Sequence, residues 1–205
     1  MKKNFRLLTK KTWAVVICTF FSCVFLSTAQ AQTERTFENA GTTEWQVPTN
    51  VTQITIETWG AGGAGGATQM ESGILGIPNQ RPAGGGGGGA YAKSTISVTP
   101  GEMLNITVGR GGENSNGTAR DGENSSVKRG TTPLVEAEGG KSVGGISTLT
   151  GAQGGQASNS IGDVTYSGGN GGNGEIGSSS GAYSASGGGG GAAGNHGNGY
   201  NGGNG

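Results

Sequence analysis

Four short patterns in this 205-residue chain have residue types and spacings that could do chemistry. Gly60-Ala61-Gly62-Gly63-Ala64-Gly65 has the GxGxxG spacing with which a strand end approaches a dinucleotide pyrophosphate. That chemistry needs a helix to begin there and aim its amides at the anion, and Gly66-Ala67-Thr68-Gln69 has no apolar helical period. Gly139-Gly140-Lys141-Ser142 ends like a phosphate loop but has Val135 where the upstream glycine belongs. Gly140-Lys141-Ser142-Val143-Gly144 fits GxSxG, the turn that exposes a serine nucleophile. A serine needs an oriented base, and the single histidine, His196, stands in glycine-asparagine sequence with nothing to orient it. Asp121, Glu123, Glu136, Glu138 and Asp163 lack EF-hand spacing, and the stretch 168–176 lacks the aspartate of calcium-binding nonapeptides. The residues therefore point away from an enzyme and name no catalytic residue, cofactor or metal set; a calcium ion held by loop carbonyls is the alternative.

The N-terminus reads as an export signal. Lys2, Lys3, Arg6, Lys10 and Lys11 precede an apolar run over 13–26, and Ala29-Gln30-Ala31 supplies small residues for cleavage. The run is shorter than the roughly 20 residues of a spanning helix, so 1–31 is a signal peptide and the mature chain, from Gln32, has no membrane span. Both cysteines, Cys18 and Cys23, leave with it, which removes disulfides and thiolate metal sites. Eight basic and thirteen acidic residues remain, a net charge of −5 with no basic cluster, which disfavours nucleic acid and anionic membranes as partners.

Three blocks alternate at strand period. In the first, Phe37, Trp45 and Val47 precede Pro48, then Ile54 and Ile56 alternate with Thr55 and Glu57. Trp59 falls on the face opposite the isoleucines and is read as a core tryptophan packed over the glycines that follow, not as a ligand platform. In the second, Ile96 and Val98 lead into Thr99-Pro100-Gly101-Glu102 and then Leu104, Ile106 and Val108, which predicts a hairpin. A third, over 125–137, places Val127 and Leu134-Val135 on either side of Arg129-Gly130 and completes a small sandwich.

All 47 glycines lie after residue 40, many at every third position: Gly60, Gly63 and Gly66; Gly168, Gly171, Gly174 and Gly177; Gly188, Gly191, Gly194 and Gly197. A polyproline-II-type helix has about three residues per turn, so this spacing lines one face with glycine. Such faces can approach closely and satisfy each other's backbone groups. The fold class is mainly β, a small β-sandwich or sheet combined with packed polyglycine helices. The division is 32–145 as a glycine-rich β domain and 146–205 as a low-complexity continuation. For the tail after 156, order and disorder stay open as equal alternatives, because glycine pays the largest entropy on ordering. The end at GYNGGNG suggests a chain that continues.

The combination of TxxWxVP (42–48), VTQITIETWGAGGAGG (51–66), GGGGGGAYA (84–92), VTPGE (98–102), ITVGRGG (106–112) and DGENSSV (121–127) resembles the bacterial and phage glycine-rich domain family. The resemblance implies a compact β-structure bearing packed polyglycine helices. In phage tail adhesins of similar composition, loops at the ends of such helices contact host receptors. The candidate binding residues are therefore those interrupting the glycine runs: Met70, Ile74, Leu75, Ile77, Asn79 and Arg81 in 68–82, and Asn114, Asn116 and Arg120 in 114–120. The resulting reading is an adhesin-like module, secreted or on the outer cell surface, contacting a cell-surface or matrix glycan or protein. The alternatives are a structural spacer without a ligand and, further off, an ice-binding protein.

Overall fold

Alternating branched and polar residues build two antiparallel sheets around one core. The structure, a computed structural model, describes residues 33–72, 78–177 and 184–205, so the expected signal peptide lies outside the described residues. In one sheet the order is β1 (Gly41–Gln46), β6 (Met103–Val108), β9 (Ser125–Arg129), β10 (Thr132–Ala137). In the other it is β11 (Val164–Tyr166), β5 (Tyr91–Ser97), β2 (Gln53–Trp59). Ile56 and Ala92 face Leu104, Ile106, Val127, Val135 and Ala137 across the core, with Val47 and Val98 at its rim. Two small hairpins stand apart, β3 (Gln69–Ser72) with β4 (Pro78–Arg81) and β7 (Glu113–Ser115) with β8 (Thr118–Arg120). Among the described residues helical structure is limited to a 3-10 turn at Ala157–Asn159, and no helix is long and apolar enough to cross a membrane.

The hairpin read at 96–108 is corrected. β5 and β6 belong to different sheets, and Thr99-Pro100-Gly101-Glu102 carries the chain from one to the other. The turn itself forms, with Gly101 at φ 82° and Glu102 N–H donating to the Thr99 carbonyl at 2.9 Å. Its flanks bond to the link between β1 and β2 instead of to each other: Val98 N–H donates to Thr52, Gly101 N–H to Val47, and Val47 N–H to Glu102. Crossing over lets Val98, Leu104 and Ile106 bury from opposite sides of one core, where a hairpin would have left one branched face uncovered. The third block does form a hairpin, β9 to β10, with Gly130 at φ 58° in its turn.

The glycine segments extend the sheets in a different geometry. Residues 83–90, which lead into β5, are buried throughout. Gly60, Gly63 and Gly66 donate to the carbonyls of Ala90, Gly87 and Gly84 at 2.8–2.9 Å. The same central segment donates from Gly87 and Ala90 to Lys141 and Glu138, and from Gly85 and Gly88 to Gly172 and Gly169. It accepts from Ala152 and Gly155, and from Gly187, Gly190 and Ala193. Each set of bonds returns to the same neighbour every third residue. A methyl group on Gly85, Gly87, Gly88 or Gly89 would overlap the carbonyl oxygen of Gly188, Gln153, Gly191 or Gly60, so only glycine lets the segments come within hydrogen-bonding range.

The tail joins this array, crossing the 145/146 boundary drawn from sequence. Gly171 N–H donates to Ala152, Gly188 N–H to Gly203, Gly191 N–H to Tyr200, and Gly199, Gly202 and Gly205 donate to Ser167, Asn170 and Asn173. Asparagine side chains fill in where no carbonyl reaches. The Oδ1 atoms of Asn198, Asn201 and Asn204 accept from the N–H of Ser167, Asn170 and Asn173, and those of Asn170 and Asn173 accept from Gly154 and Gly151, all at 2.8–3.0 Å.

Overpacking a site walled by backbone costs at the upper end of about 1–3 kcal/mol or beyond. Gly87→Ala, whose methyl would strike the Gln153 carbonyl, should therefore lose at least about 3 kcal/mol in thermal or denaturant unfolding. Gly203→Ala, with nothing within 4 Å of its added carbon, should stay within about 0.5 kcal/mol of the parent. Equal stability of the two variants contradicts the packing argument.

Candidate functional site

The chain directions of the glycine segments give the array two ends. Residues 60, 90, 138 and 168 adjoin β2, β5, β10 and β11, so 66, 84, 143 and 175 lie at the opposite, distal end. The connections there include the β3–β4 hairpin and the turn at 144–150. The β7–β8 hairpin meets that turn: Gly145 N–H donates to the Gly117 carbonyl at 2.8 Å, and Asn114 Nδ2 donates to the Val143 carbonyl at 2.6 Å. Ser147 N–H donates to Ala67, and Ala67 bridges Ile146, which brings the start of the β3–β4 hairpin to the same place. Thus the β7–β8 turn and Ala67, the residue before the loop 68–82, both bond to the turn at 144–150.

The candidate residues divide on inspection. Ile74, Leu75 and Ile77 lie outside the described residues. Met70, Asn79 and Arg81 pair through their backbones with Gln80, Glu71 and Gln69 in the β3–β4 ladder. Asn114 is a structural group, since its Oδ1 also accepts from Gly117 N–H at 2.9 Å and closes the β7–β8 turn. Arg120 pairs with Glu113 at 3.1 Å and Glu123 at 3.3 Å, and donates to the Gly111 carbonyl. Asn116 is exposed at the head of the turn with φ 49°.

Sequence reasoning missed the 144–150 turn, because it looked like another glycine-serine connection. Ile146 is 46% exposed there, and Ser147 holds φ 53° with a buried hydroxyl that has no hydrogen-bond partner among the described residues. Asn116 and Ser147 are the non-glycine residues with positive φ among the described residues, and they stand on adjoining turns of the tip. Asn116, with Gly117 at φ 85°, forms the two-residue hairpin turn that Asn-Gly favours, whereas the left-handed Ser147 costs about 1–3 kcal/mol and persists where the surroundings impose it. The tip offers apolar contact and hydrogen bonding on a rigid support.

A second exposed feature lies at the sheet end. Trp59, Tyr91 and Tyr166 are level with one another on adjacent strands, on the face turned away from the core. Trp59 meets Tyr91 edge-on at 5.2 Å, and Tyr91 stacks with Tyr166 at 6.2 Å. Trp59 is 47% exposed, which corrects its reading as a core tryptophan; the fully buried aromatic is its neighbour Tyr91. In the next row Lys93 pairs with Glu57 at 2.8 Å. Burial, reinforced by the Glu57 carboxylate, pushes the Tyr91 hydroxyl up to about 12.

The sequence motifs resolve into architecture. The GxGxxG amides of Gly60 and Gly63 are spent on the carbonyls of Ala90 and Gly87. The Ser142 hydroxyl accepts from Ala64 N–H at 2.8 Å and donates to the Arg120 carbonyl at 2.7 Å, splicing three segments together. Among the described residues there is no group of three or more His, Cys, Asp or Glu side chains that could hold a metal ion.

With the geometry described, comparison with known families places the chain. It matches the glycine-rich domain family over residues 36–205 and belongs to that family. No curated protein matches it.

Ser142→Ala leaves the Ala64 N–H without its acceptor and should cost about 1–3 kcal/mol in unfolding measurements, as a splice residue requires; unchanged stability contradicts that role. Tyr91 gives a pH signature. Below about pH 10 both folded and unfolded states keep the phenolic proton; between about 10 and 12 the unfolded state loses it first, so stability falls as pH rises. Ultraviolet titration should show a tyrosine ionising near 12 that disappears in Tyr91→Phe. A titration identical in the parent and the variant contradicts the assignment.

Proposed function

We propose that this chain is an exported, non-enzymatic surface module whose glycine segments are polyproline-II-type helices and whose distal tip contacts a cell-surface or matrix glycan or protein. The observation that supports it is the left-handed Ser147, held next to the exposed Ile146 by bonds from three connections. A spacer has no need to impose strain at one end, whereas a binding surface gains from groups fixed before the ligand arrives. Ile176, 51% exposed just after the distal end of its segment, adds apolar surface. The basic-then-apolar N-terminal sequence supports export.

The mature protein on glycan arrays and on cell or matrix preparations should show saturable binding that Ile146→Asp lowers by about tenfold or more without changing the melting temperature. Absence of binding to all three supports sinks the reading and leaves the spacer; a defined turnover activity sinks it in favour of an enzyme.

A further inference from the structure

The central segment 83–90 is flanked on five sides, and the bonding directions alternate. The neighbours it donates to, 138–143 and 168–175, stand between the neighbours that donate to it, 60–66, 151–155 and 185–193. Continuing that alternation, the side between 60–66 and 185–193 is where its third set of N–H groups points. Ala83, the first of that set, donates to the Ser186 hydroxyl at 3.2 Å. Gly86 and Gly89, three and six residues on, are buried, yet their N–H groups have no hydrogen-bond partner among the described residues. The carbonyls beside them, Gly60 and Gly63 on one wall, and Gly187 and Gly190 by the same three-residue phase on the other, also accept no bond. Buried backbone groups are almost always paired, so this run of them calls for a ligand of matching pattern.

The geometry points to a binding groove for an extended segment of another protein with glycine at every third residue. Its carbonyls would accept from Gly86 and Gly89 while its N–H groups donate to both walls, the arrangement by which the other segments already hold one another. Its inward residue must be glycine, because every inward methyl tested within the central segment strikes backbone. The other two residues of each repeat face outward and are free to vary. About eight residues at roughly 3.1 Å each would span the groove. The walls leave room: an added carbon at Gly62, Gly65 or Gly189 meets nothing nearer than 3.8, 3.5 or 3.9 Å.

A second copy of this chain is a poor occupant. Its outermost segment, 198–205, has an open side at Gly203, but Tyr200 shares that phase and is 91% exposed, placing a phenol where glycine is required. The site is separate from the distal tip, so it stands or falls independently of the adhesion reading.

The test uses a labelled peptide of four Gly-Asn-Ser repeats and a shuffled peptide of the same composition without the three-residue period. Fluorescence polarisation with the protein should show saturable binding of the periodic peptide and binding at least about tenfold weaker for the shuffled one. The amide resonances of Gly86 and Gly89 should shift on titration. Gly62→Leu and Gly189→Leu, which fill the groove from opposite walls without touching the array, should each weaken binding by about tenfold or more at unchanged melting temperature. Equal affinity for both peptides, no binding of the periodic peptide, or undiminished binding to both variants overturns the proposal. Self-association of the protein that removes the Gly86 and Gly89 signals also overturns it, by making a second copy the occupant.

Discussion

The structure depends on one exclusion: no side chain can stand between 84–89 and its neighbours. A single carbon on Gly85, Gly87 or Gly88 collides with the carbonyl oxygen of Gly188, Gln153 or Gly191, and those oxygens accept hydrogen bonds from Gly172, Lys141 and Gly169 at 2.8–2.9 Å. Glycine makes ordering this backbone expensive, because its unfolded chain explores the most conformations. Little of the opposing gain comes from apolar side chains, which in the array are confined to small residues such as Ala83, Ala90, Val143 and Ala193. Most of it comes from pairing backbone groups laterally, which avoids the penalty of burying them unmet. The sandwich contributes most of the apolar term, through Leu104, Val127, Val135 and their neighbours.

Much of the sandwich was legible because period-two alternation reports which face is buried. Ile54 and Ile56, Leu104 and Ile106, and Val127 fall where their alternation puts them. The error at 96–108 has a physical source: alternation fixes the face of a strand but not the sheet it joins, and a Pro-Gly turn serves a sheet crossing as well as a hairpin. Alternation puts Trp59 on the outer face, as observed, but whether that face is covered depends on what packs there, and Tyr91 in the neighbouring strand takes the buried position.

The candidate site was half legible. Interruptions of glycine runs identify connections, and the one at 114–120 bonds to the 144–150 turn at the distal end. Which of their side chains stay available is settled by partners distant in sequence. Asn114 is taken up by Val143 and Gly117, and Arg120 by Glu113 and Glu123, while the exposed Ile146 lies in a turn with no compositional mark. The missed Asn signal is of the same kind. A third-position asparagine resembles low-complexity drift until the facing segment shows a row of N–H groups for Oδ1 to meet.

That row explains why asparagine concentrates late in the chain. The segments at 60–66, 83–90, 138–143 and 168–175 each adjoin a strand, β2, β5, β10 or β11, so the sheets fix where each begins and hence its hydrogen-bonding phase. The segments at 185–193 and 198–205 are joined by a turn at 194–197, and among the described residues no strand adjoins them. A slip by one residue would turn a different third of their backbone toward 168–175. Asn198, Asn201 and Asn204 oppose that slip, because their side chains reach Ser167, Asn170 and Asn173 only in the observed phase. Register is thus set by strands where strands exist and by an asparagine ladder where they do not, and the Gly-Gly-Asn repeat is the sequence form of that second device.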